Sequence, residues 1–197
     1  MDVFLSSLKL KRISERRIIP DYSMLRCIWQ QREKNMKNEK SILLIETLID
    51  TIPEQEKAMY REIAEFALSL GYKPQKVNKE GFTLDFINNA TRKKILKLAK
   101  DDIRLKFYAN DNYSQKFQDG IKKVIEDFGG KYTGCYGCGR CDNGIQGYDY
   151  QYPNGKVVFR CGSELIGVKG ITVEDIPEIK QLMKTQDAYI KKKSSGV

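Results

Sequence analysis

Apolar residues recur at two periods along the chain, and each period assigns an element. Residues 41–50, SILLIETLID, predict a short helix. Thr51 with Glu54 three positions later has the form of a capping box. It predicts a second helix over IPEQEKAMYREIAEFALSLG, in which Met59, Ile63, Phe66, Ala67 and Leu70 share a face and Gly71 supplies the stop. The period then shortens to two. Phe82, Leu84 and Phe86 fall on one side of a strand, and Leu96 and Leu98 on one side of a second. A third strand after Asp101-Asp102 turns Ile103, Leu105, Phe107 and Ala109 inward and Arg104, Lys106 and Tyr108 outward. Helical spacing returns at Phe117, Ile121, Val124, Ile125 and Phe128, and stops at Gly129-Gly130. YDYQYPNGKVVFRC reads as two strands around a Pro-Asn-Gly turn, with Cys161 at the end of the hairpin. Thr172 with Asp175 opens a last helix carrying Ile176, Ile179, Leu182, Met183 and Ile190, and KKKSSGV is a frayed tail.

This order of elements is that of an α+β protein: an antiparallel sheet covered by helices, with a four-cysteine metal-binding hairpin near the C-terminal end. Residues 41–197 read as a single domain that includes the hairpin at 131–168. Residues 1–40 are basic, with Lys9, Lys11, Arg12, Arg16 and Arg17, and show no amphipathic period across Pro20. Two readings fit them. One is an arm that orders on contact with a polyanion. The other is an extension outside the native protein, since Arg32-Glu33-Lys34-Asn35 can be written in purine-rich codons like a ribosome-binding site just ahead of Met36.

The pattern alone leaves the chemistry open, and the cysteines narrow it. Cys135, Cys138 and Cys141 fall within GCYGCGRC, and Cys161 follows on the hairpin. A two-residue spacing lets one tight turn present two sulfurs to the same ion, and the glycines at 134, 137 and 139 accept the backbone angles such a turn needs. Four thiolates at about 2.3 Å complete a tetrahedral zinc shell. No coordination position is then left for water, so the site is expected to be structural rather than catalytic. Two alternatives stay open. C-x2-C-x2-C also opens a bacterial ferredoxin run, so an iron–sulfur cluster or thiol-based redox chemistry is the rival, although Gly162 stands where proline is common after the fourth ligand. A metal or thiol sensor with Cys141 as labile ligand is the third reading. Cys27 stands alone beside Trp29 and reads as a small apolar residue.

Composition sets limits on these readings. The chain has 197 residues, 41% hydrophobic and 31% charged, which is an ordinary globular balance. It contains no apolar run long enough to cross a membrane and no secretory leader, so the expected compartment is the cytoplasm, where reduced cysteines bind metal rather than form disulfides. Histidine is absent altogether, which excludes Ser-His-Asp and Cys-His catalysis and every mixed Cys/His zinc site. The formal net charge of +9 points to nucleic acid or another polyanion as a partner. Lys97, Arg104, Lys106 and Tyr108 form the candidate surface for it, with Tyr148 and Tyr150 on the hairpin as further candidates for ligand contact or for packing.

YTGCYGCGRC and YPNGKVVFRCGSELI together resemble uncharacterised bacterial proteins that carry a cysteine cluster, a Tyr-Pro-x-Gly-Lys hairpin and a terminal Arg-Cys-Gly. The resemblance covers most of the chain after Met36 and implies no activity. The expected protein is therefore a cytoplasmic zinc-stabilised binding domain.

Overall fold

The computed structural model describes residues 22–77, 81–107, 114–127, 147–151, 155–161 and 165–195. The chain divides into two units, Met1–Asn38 and Glu39–Val197. In the first, the described residues belong to helix α1, Tyr22–Ile49, which continues through the boundary. A helix starting nineteen residues before Ser41 was not expected from periodicity. Residues 30–40 contain neither glycine nor proline and are dominated by Gln, Arg, Glu and Lys, whose helix propensity needs no apolar stripe.

In the second unit α1 ends by burying Ile45, Leu48 and Ile49. The Thr51 hydroxyl donates back to the Leu48 carbonyl at 2.7 Å instead of capping the next helix. Helix α2, Glu54–Ser69, takes Pro53 as its N-cap, so the expected Thr51–Glu54 box does not form. The reason is local: the amides of Thr51 and Ile52 are already bonded to Leu48 and Ile49, which winds down α1, and proline then resets the chain at φ −54°. Gly71, at φ +90°, stops α2 as the sequence predicts.

Strands β1 (Tyr72–Lys76), β2 (Thr83–Asn88), β3 (Lys94–Ala99), β4 (Asp102–Leu105) and β7 (Ile166–Gly167) form one antiparallel sheet in that order. β5 (Gly147–Gln151) and β6 (Val157–Cys161) form a separate two-stranded sheet. The fold is α+β, as expected. Register aligns two apolar rows across the large sheet, Leu84–Leu98–Ile103 and Phe86–Leu96–Leu105–Ile166, all buried. Ile95 is an extra residue between Lys94 and Leu96, a bulge opposite Phe86 and Ile87, and its carbonyl accepts the amide of Lys106 at 2.9 Å. Pro74 lies on β1, an edge strand, where a missing amide is tolerated.

Helices α2, α3 (Gln115–Asp127) and α4 (Ile176–Ser194) complete the core with Met59, Ile63, Ala67, Phe117, Ile121, Ile179, Leu182 and Met183. Phe117 meets Phe107 edge to face, with ring centroids 5.6 Å apart. The approach of α3 to β7 is close because position 120 has no side chain. A Cβ there would lie 3.3 Å from a Val168 methyl, 3.5 Å from an Ile166 methyl and 3.6 Å from the Gly167 carbonyl.

Thr172 and Asp175 do form the expected capping box, on a 3-10 turn, Val173–Asp175, that leads into α4. The Asp175 carboxylate accepts the Thr172 amide at 2.7 Å and the Lys116 ammonium at 2.6 Å, and Lys116 also reaches the Gly170 carbonyl at 3.0 Å. Glu178 accepts the Ser114 amide at 2.6 Å, just ahead of α3. The tail expected to fray is helical to Ser194: Lys191 pairs with Asp187 one turn back, and the Ser194 and Ser195 hydroxyls donate to Ile190 and Lys191. Elsewhere Arg61 on α2 holds Glu46 on α1 through two bonds of 3.0 and 2.8 Å. Among the described residues no helix is long and apolar enough to cross a membrane.

Two outcomes follow for stability. Gly120→Leu is expected to lower it by about 1 to 3 kcal/mol in chemical denaturation, because α3 must lift from Val168. Gly120→Ala gains about 1 kcal/mol of helix propensity against one crowded, rotatable methyl, and should stay within about 1 kcal/mol of the parent. The second outcome concerns acid. Burial pushes the Asp175 carboxyl up, but the bonds from Lys116 and the Thr172 amide outweigh it and hold the group below its ordinary 3.8. Its contribution to stability is therefore complete above the ordinary range and lost as pH falls through the lowered folded-state value. Asp175→Asn should be less stable than the parent at neutral pH, with the gap closing only as pH falls below the ordinary carboxylate range in urea titrations.

Candidate functional site

Two regions carry the residues that the sequence marks for function. The first is the cysteine hairpin. Cys135, Cys138 and Cys141 lie outside the described residues, as does Tyr108. Cys161 is the last residue of β6 and pairs with Gly147, the first of β5. Directly opposed residues of an antiparallel pair have Cα atoms about 4.5 to 5.5 Å apart. Cys141 precedes Gly147 by only six residues. The nineteen residues of chain that separate Cys141 from Cys161 are thus short-circuited by one strand pairing. Gly155, at φ +82°, belongs to the connection between the strands, which only a residue free of a Cβ adopts readily.

The register also sorts the positions of the hairpin between its two faces. Tyr148 opposes Arg160 and Tyr150 opposes Val158, so those four positions share one face. Gly147, Asp149, Phe159 and Cys161 share the other. The tyrosine positions are therefore on the face opposite the cysteine's. Among the described residues no three Cys, Asp or Glu side chains converge as a metal ion requires, and three of the four expected ligands lie outside those residues.

The second region is the face of the large sheet away from the apolar rows. Cross-strand register sets Gln75, Asp85, Lys97, Arg104 and Gly167 in one line. Lys97 and Arg104 are neighbours there, as the outward alternation predicts. Lys106 is not: at 5% exposure it is buried, together with Phe107. The reason is that β4 ends at Leu105, and the chain then turns its amide to the Ile95 bulge, so the two-residue period no longer applies.

The candidate cations Lys97 and Arg104 both lie against carboxylates. Asp85, itself 7% exposed, holds the Lys94 ammonium and lies 3.6 Å from that of Lys97. Arg104 donates from Nε to Asp102 at 2.6 Å. Arg104 also lies against Gly167, where a Cβ would meet its Cγ at 3.8 Å. The acids that neutralise the patch, Asp85 and Asp102, were missed in the sequence. Asp85 was within reach, since it stands between Leu84 and Phe86 and must point outward beside the lysines of β3. A polyanion binding here competes with two carboxylates rather than meeting free cations, which weakens the face as a nucleic-acid surface.

Comparison with protein-family models, curated proteins and solved structures gives no match.

Asp85→Asn separates the two roles of this face. It should cost about 1 to 3 kcal/mol of stability, since a buried carboxylate that accepts from Lys94 and lies beside Lys97 loses its charge. It should also raise the salt concentration at which the chain elutes from heparin. Unchanged elution with the stability loss present would mark the face as purely structural.

Proposed function

We propose that the chain is a zinc-stabilised binding domain in which Cys135, Cys138, Cys141 and Cys161 hold one ion. The observation that carries this reading is the pairing of Gly147 with Cys161, which leaves a short path between the last cysteine of the cluster and the distant fourth. The spacing of the first three supports it independently, because a turn of this form presents sulfurs and little else. A closed four-thiolate shell contributes folding energy on the order of 10 kcal/mol and performs no hydrolysis. Its charge, four thiolates against a divalent cation, takes two units from the formal +9 and leaves the chain basic.

The partner that fits a basic chain is a polyanion, with nucleic acid the leading class. The paired cations of the sheet face argue for contact through other basic segments, among them Lys192 and Lys193 and residues 1–40 with their five lysines and arginines before Arg26. A reducing, cytoplasmic setting keeps the thiols available for metal.

Cys161→Ser is expected to lower bound zinc and melting temperature together, read by elemental analysis and thermal unfolding. Full metal content with unchanged melting would overturn the assignment of that ligand. Anaerobically purified parent should be colourless with one zinc per chain. A brown protein whose visible absorption fades on oxidation would replace zinc with an iron–sulfur cluster.

A further inference from the structure

Resting on the nucleic-acid partner proposed above, we infer that the tip of the β2–β3 hairpin grips the phosphate backbone of a duplex, with Arg92 and Lys93 at its turn and Lys73 beside it. Between Gly81 and Lys100 five lysines and arginines accompany a single acid, Asp85. Lys94 and Lys97 share that acid. Arg92, Lys93 and Lys73 have no carboxylate within ion-pair distance among the described residues. Register sets Lys73 opposite Ile87, the last residue but one of β2, so it stands at the same end of the sheet as the turn. Arg92 is exposed, and Lys73 and Lys93 are partly so.

The turn holds these charges in place. Asn88, buried at the end of β2, accepts the amides of Ala90 at 2.9 Å and Thr91 at 3.2 Å through its Oδ1. Its own amide donates to the Lys93 carbonyl at 2.9 Å, and the Thr91 hydroxyl accepts the Lys93 amide at 3.4 Å. A loop tied in this way loses little freedom when it binds. Arg92 completes it at φ +55°. Glycine or asparagine takes that left-handed conformation readily, whereas arginine takes it at a cost in stability. Strain kept at an exposed cation on a pinned turn points to contact with a partner rather than to packing. Residues 87–94 carry no aromatic side chain on which an unpaired base could stack, which leaves phosphate as the group they meet. A DNA duplex offers one such charge per roughly 1.7 Å of its axis.

The test uses the full chain and a short mixed-sequence DNA duplex, with binding followed by fluorescence anisotropy as salt is raised. Arg92→Asn removes the charge and keeps the left-handed fit. Its melting temperature should hold or rise while duplex affinity falls about fivefold and the salt slope drops by about one. Lys93→Gln, which leaves the strained position untouched, should show the same loss. Lys184→Gln, which removes an exposed charge on α4, is the control and should change affinity little. Unchanged affinity in Arg92→Asn and Lys93→Gln, or equal weakening by all three variants, overturns the tip as the contact and leaves the nucleic-acid partner standing. Tighter binding of the parent to the unpaired strand than to the duplex also overturns it, since stacking would then outweigh phosphate contact. A parent that binds no nucleic acid even at low salt overturns the partner and the tip together.

Discussion

Cross-strand register is the constraint on which the large sheet depends. Because the side-chain period is two, the pairing that sets Leu84 beside Leu98 and Ile103 also sets Asp85 beside Lys97 and Arg104. One arrangement therefore yields a greasy face for the helices and a charged face that neutralises itself. A slip of one residue would turn both apolar rows away from the helices and Asp85, Lys97 and Arg104 toward the apolar core, at a penalty far above the stability of a domain this size. The bulge at Ile95 is an irregularity the sheet absorbs, and it marks where the period stops holding.

What could be read from the residues follows from this. Strongly periodic elements were legible: α2, α3, α4, β2, β3, β4 and the β5–β6 hairpin each carry their pattern within their own residues. Tyr72–Lys76 was not, because Tyr-Lys-Pro-Gln-Lys shows no alternation and is a strand only by virtue of its pairing with β2. Ile166–Gly167 was not, because two residues cannot show a period, and their role comes from α3 lying over them. Lys106 was misplaced because alternation was carried one residue beyond the end of its strand. Thr51 matched a capping motif, but Pro53 decided where the helix starts.

For the candidate site, the hairpin that carries Cys161 was legible. The pairing partner of Cys161 was not, because register depends on the length and shape of the turn between the strands. Nor were the carboxylates that quiet the basic face, since each becomes relevant only when strands from different parts of the chain lie side by side. Basic composition overstated the free positive charge of that face for the same reason.

Pro74 on the outermost strand has a consequence for how the molecule behaves in a crowd. A sheet margin is a template for foreign strands, and a regular ladder of amides is what an incoming chain would read. Here the ladder is interrupted midway by an imino ring and bordered by Lys73 and Lys76, so a second polypeptide finds neither a continuous row of donors nor an uncharged approach. The sheet stays finite on that side by the chemistry of Lys73, Pro74 and Lys76.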